Sequence, residues 1–273
     1  MKKILVPTEF SAHASQIFLY ALELAKTHKA SITLLHAFHG SFNPKTSWNE
    51  MGNMCMENLY DFVAEHQTAP YKNIVINCEV MMGEPTEAIL KTVEEEEIDC
   101  IVMGMKGKTN ALEGLFGGIA QTIVNKVNIP VLFIPATMQY RPIESIAYGF
   151  DFTLVDLIET RQLINFFQNK KLKVTCIHFD QEEEDWFNID DEMAFLEDMF
   201  KHHPDYKNFQ FDTITGNFKK DIQEYLLENK KDLLVLVSHS KSKLAQWLLP
   251  NNASYLTGKI SVPLLVLKEQ QLM

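Results

Sequence analysis

Residues 4–37, ILVPTEFSAHASQIFLYALELAKTHKASITLLHA, hold the pattern on which the fold turns. Ile4-Leu5-Val6 is a short apolar run, and Pro7-Thr8-Glu9-Phe10-Ser11 reads as a loop. From Ser15 to Lys26 the apolar residues Ile17, Ala21, Leu24 and Ala25 recur at helical spacing, and Ser31 to Ala37 is again a strand. Strand, loop, helix and strand in this order form the start of a parallel sheet, because two parallel strands need a crossover between them.

The same alternation continues outward. A helix is expected over 56–65, a strand over 74–81, a helix over 86–96, a strand over 100–103, a helix over 120–127 and a last strand over 131–134. The central strands are almost wholly apolar, as they are when helices cover both faces of the sheet. The fold class is therefore α/β, with a flavodoxin-like (Rossmann-like) five-stranded parallel sheet.

An internal repeat doubles this unit. A shift of 142 residues lays Ile4, Glu9-Phe10-Ser11 and Ile32 to His36 over Ile146, Asp151-Phe152-Thr153 and Val174 to His178. A shift of 133 lays Gly83, Asp99 and Pro130-Val131-Leu132 over Gly216, Asp232 and Pro263-Leu264-Leu265. The second copy is thus nine residues shorter between His36 and Gly83, and the polar stretch 39–55 is the expected place for the insertion. Two domains are expected, 1–138 and 143–273. Each copy's final strand would end a sheet with unpaired backbone groups, so the copies are expected to pack as an intramolecular pseudo-dimer, with a homodimer also open.

Composition limits the partners. The net charge is −11, which works against broad binding to nucleic acid or anionic membranes. No stretch approaches the length of a membrane span, and the apolar run in MKKILVPTEF is too short for a leader. Cys55, Cys78, Cys100 and Cys176 lack any paired spacing, which points to a reducing, cytoplasmic setting. The acidic runs at 94–97 and 182–185 read as solvated faces.

The ligand signal lies in GMKGKTNALEGLFGGIAQT, residues 104–122. Gly107-Lys108-Thr109 imitates the end of a P-loop, but Val102 stands where that motif needs its first glycine. Gly104, Gly107, Gly117 and Gly118 instead form a glycine-rich loop after a strand and before a helix, a setting that offers free amides to an anion. Lys106 and Lys108 add positive charge, and a polyphosphate is the natural guest. In the second copy these glycines become Val237, Ser240, Pro250 and Asn251, so that copy is expected not to bind in this way.

The spacing G-x2-G-x9-G, with ILVPTEFS, LLHAF, MGEPTEAI and NIPVLFIP, resembles the universal stress protein family, clearly in the first copy and more faintly in the second. The resemblance implies a tandem stress-response protein related in architecture to adenine nucleotide alpha-hydrolases. It implies binding of ATP or a related adenine nucleotide, with Mg2+ on the phosphates, and action as a sensor or regulator rather than as an enzyme, slow hydrolysis aside. Position by position, Pro7, Thr8 and Glu9 would hold the adenosine and Ala37 would touch adenine. The backbone amides of Gly107, Gly117, Gly118 and Ile119 would cradle the phosphates, and Met103, Gly104, Lys106 and Lys108 are counted with the same site. Two positions depart from the family: Glu9 replaces an aspartate, and Gly118 replaces a serine or threonine. A nucleotide-free interaction module and an alpha-hydrolase-type enzyme are the rival readings; PTEFS lacks the glycines the latter would show.

His36 and His178 end matching strands and are expected to anchor loops by bonding backbone, not to catalyse. Met51, Met54, Met56, Met81 and Met82 suggest a soft hydrophobic surface or lid, but are expected mainly to fill gaps in the core.

Overall fold

The structure, a computed structural model, describes residues 1–38, 47–105, 118–136, 138–149, 154–168, 171–180, 198, 207–216, 218–238 and 260–268. Backbone contacts divide the chain into Met1–Tyr140 and Arg141–Met273.

The first unit runs β1 (Lys3–Pro7), α1 (Ala14–His28), β2 (Ser31–Phe38), α2 (Trp48–His66), β3 (Ile76–Met82), α3 (Pro85–Glu95), β4 (Cys100–Gly104), α4 (Gly118–Lys126) and β5 (Val131–Ile134). All five strands are parallel, in the order β3-β2-β1-β4-β5. The second unit runs β6 (Ser145–Gly149), α5 (Leu154–Phe167), β7 (Lys173–Asp180), β8 (Phe209–Thr215), α6 (Phe218–Glu228), β9 (Leu233–Ser238) and β10 (Leu264–Lys268). Its strands repeat the order as β8-β7-β6-β9-β10, again parallel. Between the second and third strands the first unit has residues 39–75 and the second has 181–208, nine fewer.

Local chemistry explains the elements. The centres of β1, β4 and β5 are wholly buried, as strands covered on two faces must be. Helix α1 buries Ile17, Phe18, Ala21, Leu22 and Ala25 along one stripe and stops at Lys29, whose left-handed conformation (φ 53°) turns the chain into β2. Helix α2 starts at Trp48, well before the expected 56, and so takes up part of the stretch expected as a loop. The reason is a capping box: Glu50 N–H donates to Ser47 Oγ (3.2 Å), and Ser47 N–H donates to the Glu50 carboxylate (2.7 Å). Met54 and Met82 are more than half exposed, one on α2 and one ending an edge strand, so neither fills the core.

Asp99 and Asp232, matched by the repeat, do the same work in the two units. The Asp99 carboxylate accepts from the N–H groups of Lys2 and Lys3, and Asp232 accepts from those of Glu144 and Ser145 at 3.1 and 3.0 Å. Each ties the start of its unit's first strand to the turn before the fourth. Gly83 and Gly216 match as well, with φ of 135° and 147°, a region closed to other residues.

The acidic run at 94–97 corrects one expectation. Glu94, Glu95 and Glu97 are exposed, but Glu96 turns inward. It accepts from Thr33 Oγ1 at 3.0 Å, pairs with Lys3 Nζ at 3.4 Å and shares a hydrogen bond with Glu79. Burial first, then the bond to Glu96, pushes the Glu79 carboxyl up to about 7; the same bond holds Glu96 down. Glu79 thus keeps its proton and Glu96 its charge. Between pH 5 and 7 the native state holds a proton on Glu79 that the unfolded chain has released, so this group's contribution to stability falls as pH rises. Glu79→Gln should therefore gain stability relative to the parent protein as pH rises from 5 to 8 in urea unfolding; a constant difference would refute the assignment.

Candidate functional site

In an open parallel sheet the ligand crevice lies outside the carboxyl ends of the strands, where the strand order reverses. The first unit has a cavity of about 220 Å³ there. Pro7, Thr8 and Glu9 reach it from the loop after β1, and Ala37 from the end of β2. Met103 and Gly104 reach it from β4, and Gly118 and Ile119 from the start of α4. Eight of the twelve expected residues thus line one space. Lys106, Gly107, Lys108 and Gly117 lie outside the described residues, as do Ser240, Pro250 and Asn251 of the second copy.

The loop after β1 is held at three points. Thr8 N–H donates to Leu35 O at 2.8 Å, His36 Nδ1–H donates to Thr8 O at 2.8 Å, and Phe10 N–H reaches Thr8 Oγ1 at 3.4 Å. His36 is the backbone anchor that its position at the strand end led us to expect. Phe10 takes a left-handed conformation (φ 52°) and lays its ring 4.6 Å from that of His36. Phe10 is only part-buried, so it covers the anchor rather than joining the central core.

At the other side, α4 begins at Gly118, next to Ile119 and Ala120 on the cavity wall. The first N–H groups of a helix have no partner within it, so this end offers donors and positive potential to an anion. Among the described residues, no atom lies within 4 Å of a Cβ added at Gly118. Packing of the described residues therefore does not require the glycine.

Several wall residues escaped the sequence reading. Ile17, Phe18 and Phe62 form the apolar floor, with the rings of Phe18 and Phe62 5.3 Å apart; Pro85 and Ile89 approach from α3. Two polar wall residues were also missed, Ser11 and then His13. The position of His13 was a signal, for it precedes the helix where serine, threonine, aspartate or asparagine is preferred. The imidazole makes no capping bond to the helix, and its Nε2 is buried without a hydrogen-bond partner among the described residues. Burial lowers its basicity, so it is neutral near pH 7. Among the described residues no group of three His, Cys, Asp or Glu could hold a metal ion, and no helix is long and apolar enough to cross a membrane.

A parallel α/β sheet of the same strand order, present twice in one chain, defines a tandem protein of the flavodoxin-like class. The universal stress protein family matches residues 1–135 and 168–268, and the chain belongs to it. A universal stress protein of Methanocaldococcus jannaschii is 31% identical over 153 residues, 49% of this chain and 94% of that protein. Among solved structures, a universal stress protein from Archaeoglobus fulgidus matches 98% of this chain and 97% of its own at a TM-score of 0.69 and 14% identity. One from Pseudomonas aeruginosa, with the words "putative universal stress protein" in its description, matches 98% and 93% at a TM-score of 0.62 and 13% identity. These two likenesses establish the fold over both units.

Proposed function

We propose that the first copy binds an adenine nucleotide, with ATP and Mg2+ as the leading candidate, and that the protein serves as a cytoplasmic stress sensor or regulator rather than an enzyme. The observation that carries this reading is the meeting of Pro7-Thr8-Glu9, Ala37, Met103-Gly104 and Gly118-Ile119 at one cavity. These residues come from four separate segments and are the ones whose family counterparts hold nucleotide. The adenosine would lie toward β1 and β2, and the phosphates toward the first turn of α4. The metal would ride on the phosphates. The second copy would contribute no nucleotide site of this kind, and its pairing with the first, suggested by the repeat, is part of the proposal.

Calorimetric titration with ATP, with and without Mg2+, should show one site per chain, and saturating nucleotide should raise the melting temperature. At a free ligand concentration of 100 times Kd the gain is about 2.7 kcal/mol. Absence of binding at millimolar ATP would refute the reading, and unchanged binding by Gly107→Val would move the phosphates away from the glycine loop. Multiple turnovers of ATP would overturn the assignment as a non-enzyme. Cross-linking through cysteines placed on β5 and β10 would test the pairing of the copies.

A further inference from the structure

Among the described residues, five other than glycine have positive φ: Phe10, Lys29, Glu97, Gln168 and Lys230. The last four follow the ends of α1, α3, α5 and α6, where a left-handed residue ordinarily closes a helix. Phe10 closes none. It lies between β1 and α1, and at φ 52° the left-handed conformation is costly for so bulky a residue. Backbone strain of this kind persists only where the surroundings hold it, and it gathers at binding sites.

The surroundings of Phe10 are aromatic. Its ring lies 4.6 Å from that of His36 and 6.4 Å, edge on, from that of Phe62. Both partners are themselves held: His36 donates to Thr8 O, and the Phe62 ring lies 5.3 Å from that of Phe18 and 4.3 Å from that of His66. The Phe10 ring therefore joins β2 to α2 beside the loop. Its chain neighbours serve the cavity, for Thr8, Glu9 and Ser11 line the wall and Phe10 does not. The left-handed turn thus sends one ring into the aromatic cluster and the side chains on either side of it to the cavity. A relaxed backbone at Phe10 would swing Glu9 relative to Ser11, and the ring contacts and the wall could not both be kept.

We propose that Phe10 is a positioning residue for the ligand: the contacts of its ring with His36 and Phe62 hold the strained turn that sets Glu9 on the cavity wall, and through Glu9 they set the affinity for the adenosine part of the nucleotide. This rests on the nucleotide reading above.

The test is the ATP affinity of the full chain, measured by calorimetry. Phe10→Gly, which adopts the turn without strain but lacks the ring, should bind ATP about tenfold more weakly, from the loss of two ring contacts. Phe10→Tyr should restore the parent affinity. In a Glu9→Ala background the same Phe10→Gly change should cost less than about twofold, because the group it positions is gone. Inorganic tripolyphosphate should bind the parent protein and Phe10→Gly alike. Losses that add in the double variant, failure of Phe10→Tyr to restore binding, or an equal loss of tripolyphosphate binding would reduce Phe10 to a support of the fold and overturn the proposal. Hydrogen exchange separates this inference from the nucleotide reading. The Thr8 amide, bonded to Leu35 O at 2.8 Å, should exchange more than about tenfold faster in Phe10→Gly and at the parent rate in Phe10→Tyr. That result upholds Phe10 as the residue that sets the loop even if the parent protein binds no ATP, and unchanged exchange overturns it.

Discussion

Gly118→Ser should tighten ATP binding by about five- to hundredfold. The family's hydroxyl at this position would bond a phosphate, and a hydrogen bond to a charged group contributes roughly 1 to 3 kcal/mol, which sets that range. No described residue stands in the way of the new side chain, since an added Cβ at Gly118 meets none of their atoms within 4 Å. Serine also suits the first turn of a helix better than glycine, so no loss of stability should offset the gain. Calorimetry on the two proteins measures the difference. An unchanged Kd with an unchanged melting temperature would mean that the phosphates do not lie over the start of α4, and the placement of the ligand proposed above would have to be reversed.

The second large effect concerns the floor of the same cavity. Phe18 is 0% exposed and touches two other rings, with Phe62 at 5.3 Å and His66 at 6.0 Å between centroids. Phe18→Ala should cost about 3 to 5 kcal/mol, because the lost burial adds to the energy of the space left behind. For a protein whose whole stability is on the order of 5 to 15 kcal/mol, that is a large fraction. Urea unfolding followed by tryptophan fluorescence would read it as a lower midpoint at similar slope. A loss below ~1 kcal/mol would show that α1 and α2 close over the gap.

The His66 ring belongs to this cluster and is itself fixed, its Nδ1–H donating to Phe62 O at 2.8 Å. The aromatic floor is thus held through backbone as well as packing. A ligand base entering from the side of Ala37 would meet a rigid apolar surface, so little ordering cost remains to be met on binding.

The strand and helix pattern of the first unit was legible because its periodicity is local: three apolar residues in β1, a stripe on α1, then β2. What was misread was also local. The Ser47-Trp48-Asn49-Glu50 box stands in the sequence, but within a polar stretch whose composition alone favours a loop. Glu96 and His13 were missed for a different reason. Glu96 meets Thr33, 63 residues away, and Lys3, 93 away, so no spacing along the chain marks it as different from its exposed neighbours Glu94, Glu95 and Glu97. The lowered basicity of His13 comes from burial, which a reading of its neighbours in sequence could not supply.

By itself the sequence determined the alternation of strands and helices, the duplication of the unit, and the pairing of Asp99 with Asp232 and Gly83 with Gly216. It also determined that one copy alone keeps the glycines. These features are periodic or repeated, and repetition survives without coordinates. Only the tertiary structure decided that residues of four segments close on one cavity, that Gly118 has room for a side chain, and that His13 stands on the wall with Nε2 unpartnered. Those facts arise from the reversal of strand order at β1 and β4, which brings together chain segments that nothing in their spacing connects.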